Sequence, residues 1–174
     1  LETVRRALQH ARAAGVPAIL NPAPARELPE DVLRGANVLT PNETEWELLC
    51  RFAGIGDGGG SGSDEALERN LREWERRFGN KAIVTLGARG CAFLDGGSLQ
   101  IAAAPRVQVV DTTGAGDAFN AALAYALVRM PEASLHEKCS FAAACASLSV
   151  QRFGAQGGMP TEREILEFLK HGNH

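Results

Sequence analysis

The feature that most constrains this chain is V-Q-V-V-D-T-T-G-A-G-D-A-F-N at residues 107–120. Val107, Val109 and Val110 are β-branched and follow Pro105, which predicts a strand. Gly114 and Gly116 then permit backbone conformations, and a ligand approach, that a Cβ would hinder. From Ala115 onward the apolar residues fall at Ala115, Ala118, Phe119, Ala122, Leu123, Ala126 and Leu127, a helical spacing. A glycine turn therefore delivers a strand into a helix, whose first N–H groups and positive dipole end form an anion site. Asp117 would repel an anion there unless it acts on it, and Asp111 at the strand end adds a second carboxylate. The chemistry that uses both features is phosphoryl transfer. N–H groups of the turn (Gly114, Ala115, Gly116) stabilise charge on phosphate oxygens, and Asp117 takes the proton of an attacking hydroxyl. The plainer reading is a strand followed by a helix with Asp as its N-cap and glycines as spacers.

A chain of 174 residues suffices for one domain with a core. It is 45% hydrophobic and 22% charged, an ordinary globular composition. No apolar run reaches the length of a membrane span, and no secretory leader pattern is present. The net charge of −3 points to neither nucleic acid nor a membrane surface as a partner. Cys50, Cys91, Cys139 and Cys145 lack C-x-x-C spacing and neighbouring histidines, so they read as reduced, buried thiols in the cytoplasm. His10, His136, His171 and His174 are scattered and are given no chemistry. The absence of an initial methionine, in what reads as a helix, points to a fragment of a longer protein.

Residues 1–14 read as an amphipathic helix closed by Gly15, and 16–20 as a buried strand. N-P-A-P-A at 21–25 forbids regular structure and marks a strand-end turn. A helix over 30–35 and a strand from Asn37 lead to T-P-N-E-T-E at 40–45, read as a capping box. Its N-cap is Thr40, with Pro41 at the first helical position and Glu43 closing the box. That accounts for Thr40, Pro41 and Glu43 but not for Asn42 and Glu45, three apart on one helix face. The helix runs through Trp46, Leu49 and Cys50. G-I-G-D-G-G at 54–59 satisfies a dinucleotide pattern on paper, yet follows a helix, so 53–63 reads as a flexible Gly/Ser loop. Residues 65–78 form a helix with Leu67, Leu71, Trp74 and Phe78 inward. A strand over 81–86 ends at 87–90, and 91–94 with 99–101 flank a hairpin turn. Ser134 and Glu137 box a small-residue helix ending near 149–156, and Thr161 with Glu164 cap a last helix.

D-T-T-G-A-G-D resembles the second signature of the ribokinase-like (PfkB) family of sugar and nucleoside kinases, in which the last Asp is the catalytic base. The resemblance covers essentially the whole chain, in order, through N-P-A-P-A, T-P-N-E-x-E, T-L-G-x-x-G, D-T-T-G-A-G-D and Q-x-x-G-A-Q. It implies a three-layer αβα, Rossmann-like fold, with residues 1–174 as the C-terminal, nucleotide-binding part and the N-terminal part missing. It implies that Asn42 and Glu45 place Mg²⁺ and the ATP phosphates, largely through water. Thr85, Leu86, Gly87, Ala88, Arg89 and Gly90 would lie along ATP, Arg89 either adding charge or being a solvated side chain. Gly116 and Asp117 would also meet the nucleotide, and Asp117 the sugar. A monovalent cation, K⁺, would be held by the Asp111 side chain and the carbonyls of Thr113, Ser149, Arg152 and Gly154. Two positions depart from the family pattern: Gly158, where it usually has Ser, and Ala143, where it often has Asn or His.

The expected activity is ATP-dependent phosphorylation of D-ribose to D-ribose 5-phosphate. Sugar and ATP are the partners, and a homodimer would form through the N-terminal part. Another sugar or nucleoside as acceptor, or a nucleotide-binding fragment without activity, are the alternatives.

Overall fold

The computed structural model describes residues 1–56 and 63–171. The chain separates into two compact units, Leu1–Thr85 with Ala92–Gln100, and Leu86–Cys91 with Ile101–His174. The first alternates helices and short strands: α1 (Glu2–Ala13), β1 (Ile19–Leu20), α2 (Glu30–Gly35), β2 (Val38–Leu39), α3 (Glu43–Ala53), α4 (Asp64–Phe78), β3 (Lys81–Ala82) and β4 (Val84–Thr85). β1, β2 and β3 pair in parallel, with Leu20 beside Leu39 and Leu39 beside Ala82. Thr85 N continues this ladder by donating to the Pro41 carbonyl at 2.9 Å, and Asn42 bridges Thr85. A second sheet takes the order β4, β5 (Cys91–Asp95), β6 (Ser98–Ala102), the last two forming the expected hairpin.

The helices cover the parallel strands through a core in which Val32, Leu39, Trp46, Leu71 and Trp74 are fully buried. Each such side chain contributes about 1.5–3 kcal/mol by leaving water. The Trp46 and Trp74 rings meet at 5.1 Å, tilted. Asn80 joins this core by polar contacts. Its Oδ1 accepts from Trp74 Nε1 at 3.0 Å, and its Nδ2 donates to the Ala36 carbonyl at 3.1 Å. The buried amide is thus fully used in tying the end of α2 to α4.

The second unit contains α5 (Ala115–Arg129), α6 (Leu135–Ser149), the single turn α7 (Ala155–Gly158) and α8 (Glu162–His171). Ala118, Phe119, Ala122, Leu123 and Ala126 form the buried stripe of α5, and the small residues Ala142, Ala143 and Ala144 are buried on α6. The two helices pack together, with Tyr125 stacked on Phe141 at 5.5 Å. Small side chains let two helix backbones approach closely, which suits helices of weak amphipathicity. The four cysteines are free and buried, as expected.

Three expectations change. Residues 107–110 form no strand: Val109 and Val110 are each 58% exposed, and no described strand pairs with them. β-branched residues favour an extended backbone, but a strand exists only beside a neighbour. The strand over 81–86 is instead two short pieces, β3 and β4, either side of Ile83. The loop expected at 53–63 is held at both ends: Ile55 is 1% exposed, and Ser63 caps α4 by accepting from Ala66 N. The stretch 57–62, with most of the paper dinucleotide pattern, lies outside the described residues.

Candidate active site

The N-terminus of α5 begins at Gly114, the N-cap, with φ +83°. An L-residue is strained there. A Cβ on Gly114 would also lie 3.0 Å from both Cα and Cβ of Ala155. Glycine is doubly required at 114. Gly116 is the opposite case. It lies within the first helical turn at ordinary φ, and a Cβ there would meet nothing within 4 Å. Packing gives no reason for a residue that costs a helix about 0.5–1 kcal/mol relative to Ala. Ala115 N donates to the Thr112 carbonyl at 3.2 Å and Ala118 N to the Gly114 carbonyl at 2.9 Å. Gly116 N and Asp117 N have no backbone acceptor among the described residues. Of the expected donors, Ala115 is thus already engaged, and the exposed Gly116–Asp117 pair stands open to an anion. Gly116→Ala should raise the melting temperature of the chain by a few degrees, the shift for about 1 kcal/mol. A thermal melt reads it.

Asp111 grips the start of the turn. Its Oδ1 accepts from Thr113 N at 2.9 Å and Thr113 Oγ1 at 2.7 Å, and its Oδ2 accepts from Gly154 N at 2.8 Å. These donors, the Thr113 N–H foremost, lower its pKa below the ordinary carboxylate range. The Val150 carbonyl accepts from Val110 N and Asp111 N at 2.8 and 3.1 Å. A Cβ on Gly158 would lie 2.5 Å from the Ser149 carbonyl oxygen and 3.7 Å from that of Arg152. A serine there would need the loop to shift, so Gly158 fits this loop as it stands. The carbonyl oxygens of Ser149 and Arg152 thus both lie near Gly158, and Asp111 Oδ2 keeps a lone pair beyond its bond to Gly154. The Gly154 carbonyl is partly committed, accepting from Gly158 N at 2.8 Å. The Arg152 side chain pairs with Glu164.

In the first unit the capping box differs from expectation. The N-cap of α3 is Asn42, not Thr40. Asn42 Oδ1 accepts from Glu45 N at 2.8 Å, and Glu45 Oε2 accepts from Asn42 N at 2.9 Å. Leu20 holds Thr40 and Thr85 holds Pro41 and Asn42 in the parallel ladder, so the helix begins only at Glu43. Thr40 is 2% exposed, and its Oγ1 has no partner among the described residues. Asn42 and Glu45 therefore have a structural task. Glu45 Oε1 is left outside this box. Asn42→Ala should cost about 0.5–2 kcal/mol with or without nucleotide. Asn42→Ser, which keeps a capping oxygen, should recover most of it in urea unfolding.

Thr85 ends β4 in the first unit, while Leu86, Gly87, Ala88, Arg89 and Gly90 belong to the second. Residues Gly87–Arg89 form an exposed 3-10 turn. Leu86 and Gly90 are buried, and Leu86 N donates to the Gly90 carbonyl at 2.8 Å. A Cβ on Gly90 would sit 2.0 Å from the Ala102 carbonyl, so packing alone already requires this glycine. The second unit thus brings Asp111, Thr113, Gly114 and Gly154 together beside Asp117. Sequence reasoning missed Ala155 and the Gly154 amide. G-A within Q-R-F-G-A-Q was the available signal, though nothing local says that it meets residues some 40 positions earlier.

The family model for pfkB family carbohydrate kinases matches residues 1–162. Ribokinase from Haemophilus influenzae is 38% identical over 175 residues, which is 98% of this chain and 53% of that protein. Ribokinase from Bacillus subtilis is 38% identical over 97% of this chain and 51% of its own length. The solved structure of Arabidopsis thaliana ribokinase, complexed with ribose and ATP, superposes with a TM-score of 0.80 at 34% identity. That match covers 97% of this chain and 52% of that one. The α/β fold is thus that of the ribokinases. The chain spans about half the length of these relatives.

Proposed function

Since the chain belongs to the pfkB family of carbohydrate kinases, we propose that the protein carrying it phosphorylates D-ribose with ATP, giving D-ribose 5-phosphate and ADP. The observation that supports this most directly is the N-terminus of α5. There the uncommitted N–H groups of Gly116 and Asp117 share one helical turn with the Asp117 carboxylate. In this reading Asp117 accepts the proton of the attacking sugar hydroxyl. The new O–P bond forms as the bond to the β,γ-bridging oxygen breaks, and that electron pair leaves with ADP. The two N–H groups stabilise charge on the transferring phosphoryl oxygens without reorganising.

Asn42 and Glu45, and separately the 85–90 segment, would serve the nucleotide, with Glu45 Oε1 accepting from a water of Mg²⁺. When bound, that ion would neutralise phosphate charge. The carboxylate of Asp111 and the carbonyls of Thr113, Ser149, Arg152 and Gly154 would hold K⁺ and so support the turn electrostatically. Gly116→Ala, stabilising for the fold, lowers turnover here because its methyl occupies the phosphate approach. The protein acts in the cytoplasm, and a homodimer forms through sequence outside these residues. No helix among the described residues is long and apolar enough to cross a membrane.

The test is a coupled ADP-release assay on the natural polypeptide with MgATP and a panel of pentoses, hexoses and nucleosides, the product fixed by phosphorus NMR. Ribose-dependent turnover with a 5-phosphate product is expected. A preference for another acceptor would overturn the ribose assignment, and ATP consumption indifferent to every acceptor would overturn the kinase reading.

A further inference from the structure

The loop that follows α6 is fastened to the glycine turn at several separate points, all within the second unit. The Val150 carbonyl receives the amides of Val110 and Asp111. Gly154 N donates to Asp111 Oδ2. One residue further on, the backbone and methyl of Ala155 lie against Gly114, so close that a Cβ on Gly114 would be at 3.0 Å from either. Ala155 opens α7, whose end is fixed in turn because Gly158 lies against the Ser149 carbonyl. The Ala155 methyl and backbone thus fill the space that a side chain at 114 would need. Gly114 has no side chain to move, and α7 is pinned at both ends. A larger residue at 155 adds its atoms beside Gly114 and so presses on the turn.

We propose that Ala155 is a positioning residue for phosphoryl transfer, its small size setting where Gly114 stands and hence where the Gly116 and Asp117 N–H groups point. The proposal rests on the reading of the α5 N-terminus as the transfer site. Gly114 is the N-cap, so a displacement there is carried into the first turn of α5, where both N–H groups belong to a rigid helix. Ala155 touches no reacting atom in this account; it acts through Gly114. Displacing a positioned group by about 1 Å costs about 10²-fold in rate, which sets the size of effect to look for.

The experiment uses the natural polypeptide with Ala155→Ser and Ala155→Val, and with Asp117→Asn as reference. Expected is a kcat that falls with side-chain size, reaching about 10²-fold for valine, while KM for the sugar changes little. The variants should stay folded at the assay temperature, and amide exchange at Gly116 and Asp117 should change while the α6 core keeps its protection. A purely structural role would lower folded fraction and rate together, and that outcome overturns the proposal. Unchanged kcat in Ala155→Val, alongside a crippled Asp117→Asn, also overturns it and leaves the transfer site standing. Full activity in Asp117→Asn would overturn the transfer site itself. If the valine variant does not fold, the serine variant, one atom larger than wild type, reads the same kcat and exchange changes.

Discussion

Asp117→Asn should lower sugar phosphorylation by about 10² to 10⁴-fold, the range lost with a general base. KM for MgATP should stay nearly constant, because the substitution leaves the Gly116 and Asp117 N–H groups in place. The fold should hardly notice. Asp117 is exposed and makes no side-chain hydrogen bond among the described residues. What it gives the helix is a carboxylate in the first turn, worth about 0.3–1 kcal/mol against the dipole. The plain helix-start reading and the catalytic reading therefore diverge in one variant. The first predicts a small fall in melting temperature and normal turnover; the second predicts the same small fall with turnover nearly gone. Steady-state kinetics beside a thermal melt separates them, and a kcat near wild type would remove the role given to Asp117.

The sequence displays the α5 terminus because everything that builds it is local. Glycine allows the positive φ at 114, and apolar residues at helical spacing commit the chain to α5 from Ala115. The capping box shows the limit of such reasoning. Two overlapping boxes are written at 40–45, Thr40 with Glu43 and Asn42 with Glu45, and helix chemistry alone accepts either. The choice falls to Thr85, more than 40 residues away, which keeps Pro41 and Asn42 in an extended ladder. The valines at 107–110 fail as a strand for the complementary reason: their propensity is local, but a neighbour is not. Likewise the grip of Asp111 on Gly154 spans 43 residues, and no periodicity on either side announces it. The glycines divide in the same way. Gly90 and Gly114 are explained by contacts visible only in three dimensions, whereas Gly116 stands out because no contact explains it.

The second large effect belongs to Asp111. Asp111→Ala removes the acceptor for Thr113 N, Thr113 Oγ1 and Gly154 N at once, freeing the turn before Gly114 from the loop that carries Ala155. Turnover should fall by about 10²-fold or more, as for other misplaced catalytic geometry. Wild-type turnover should rise with KCl at constant ionic strength, which separates site binding from screening, and Asp111→Ala should lose that response. The pH dependence has a definite sign. Hydrogen bonding lowers the folded-state pKa of Asp111, so its stabilisation is complete above the unfolded value, about 3.9 for Asp. It is lost as pH falls through the lower folded value. The Gly154 amide signal should therefore stay constant from neutral pH down to the ordinary carboxylate range and shift only below it. Near-normal turnover in Asp111→Ala would show that the turn holds its shape without the clamp. Equal wild-type rates in potassium and in a bulky organic cation would dispose of the cation site while leaving the clamp to be judged by the same variant. The two results are independent because the donors to Asp111 are protein groups and the cation would take only the lone pair they leave.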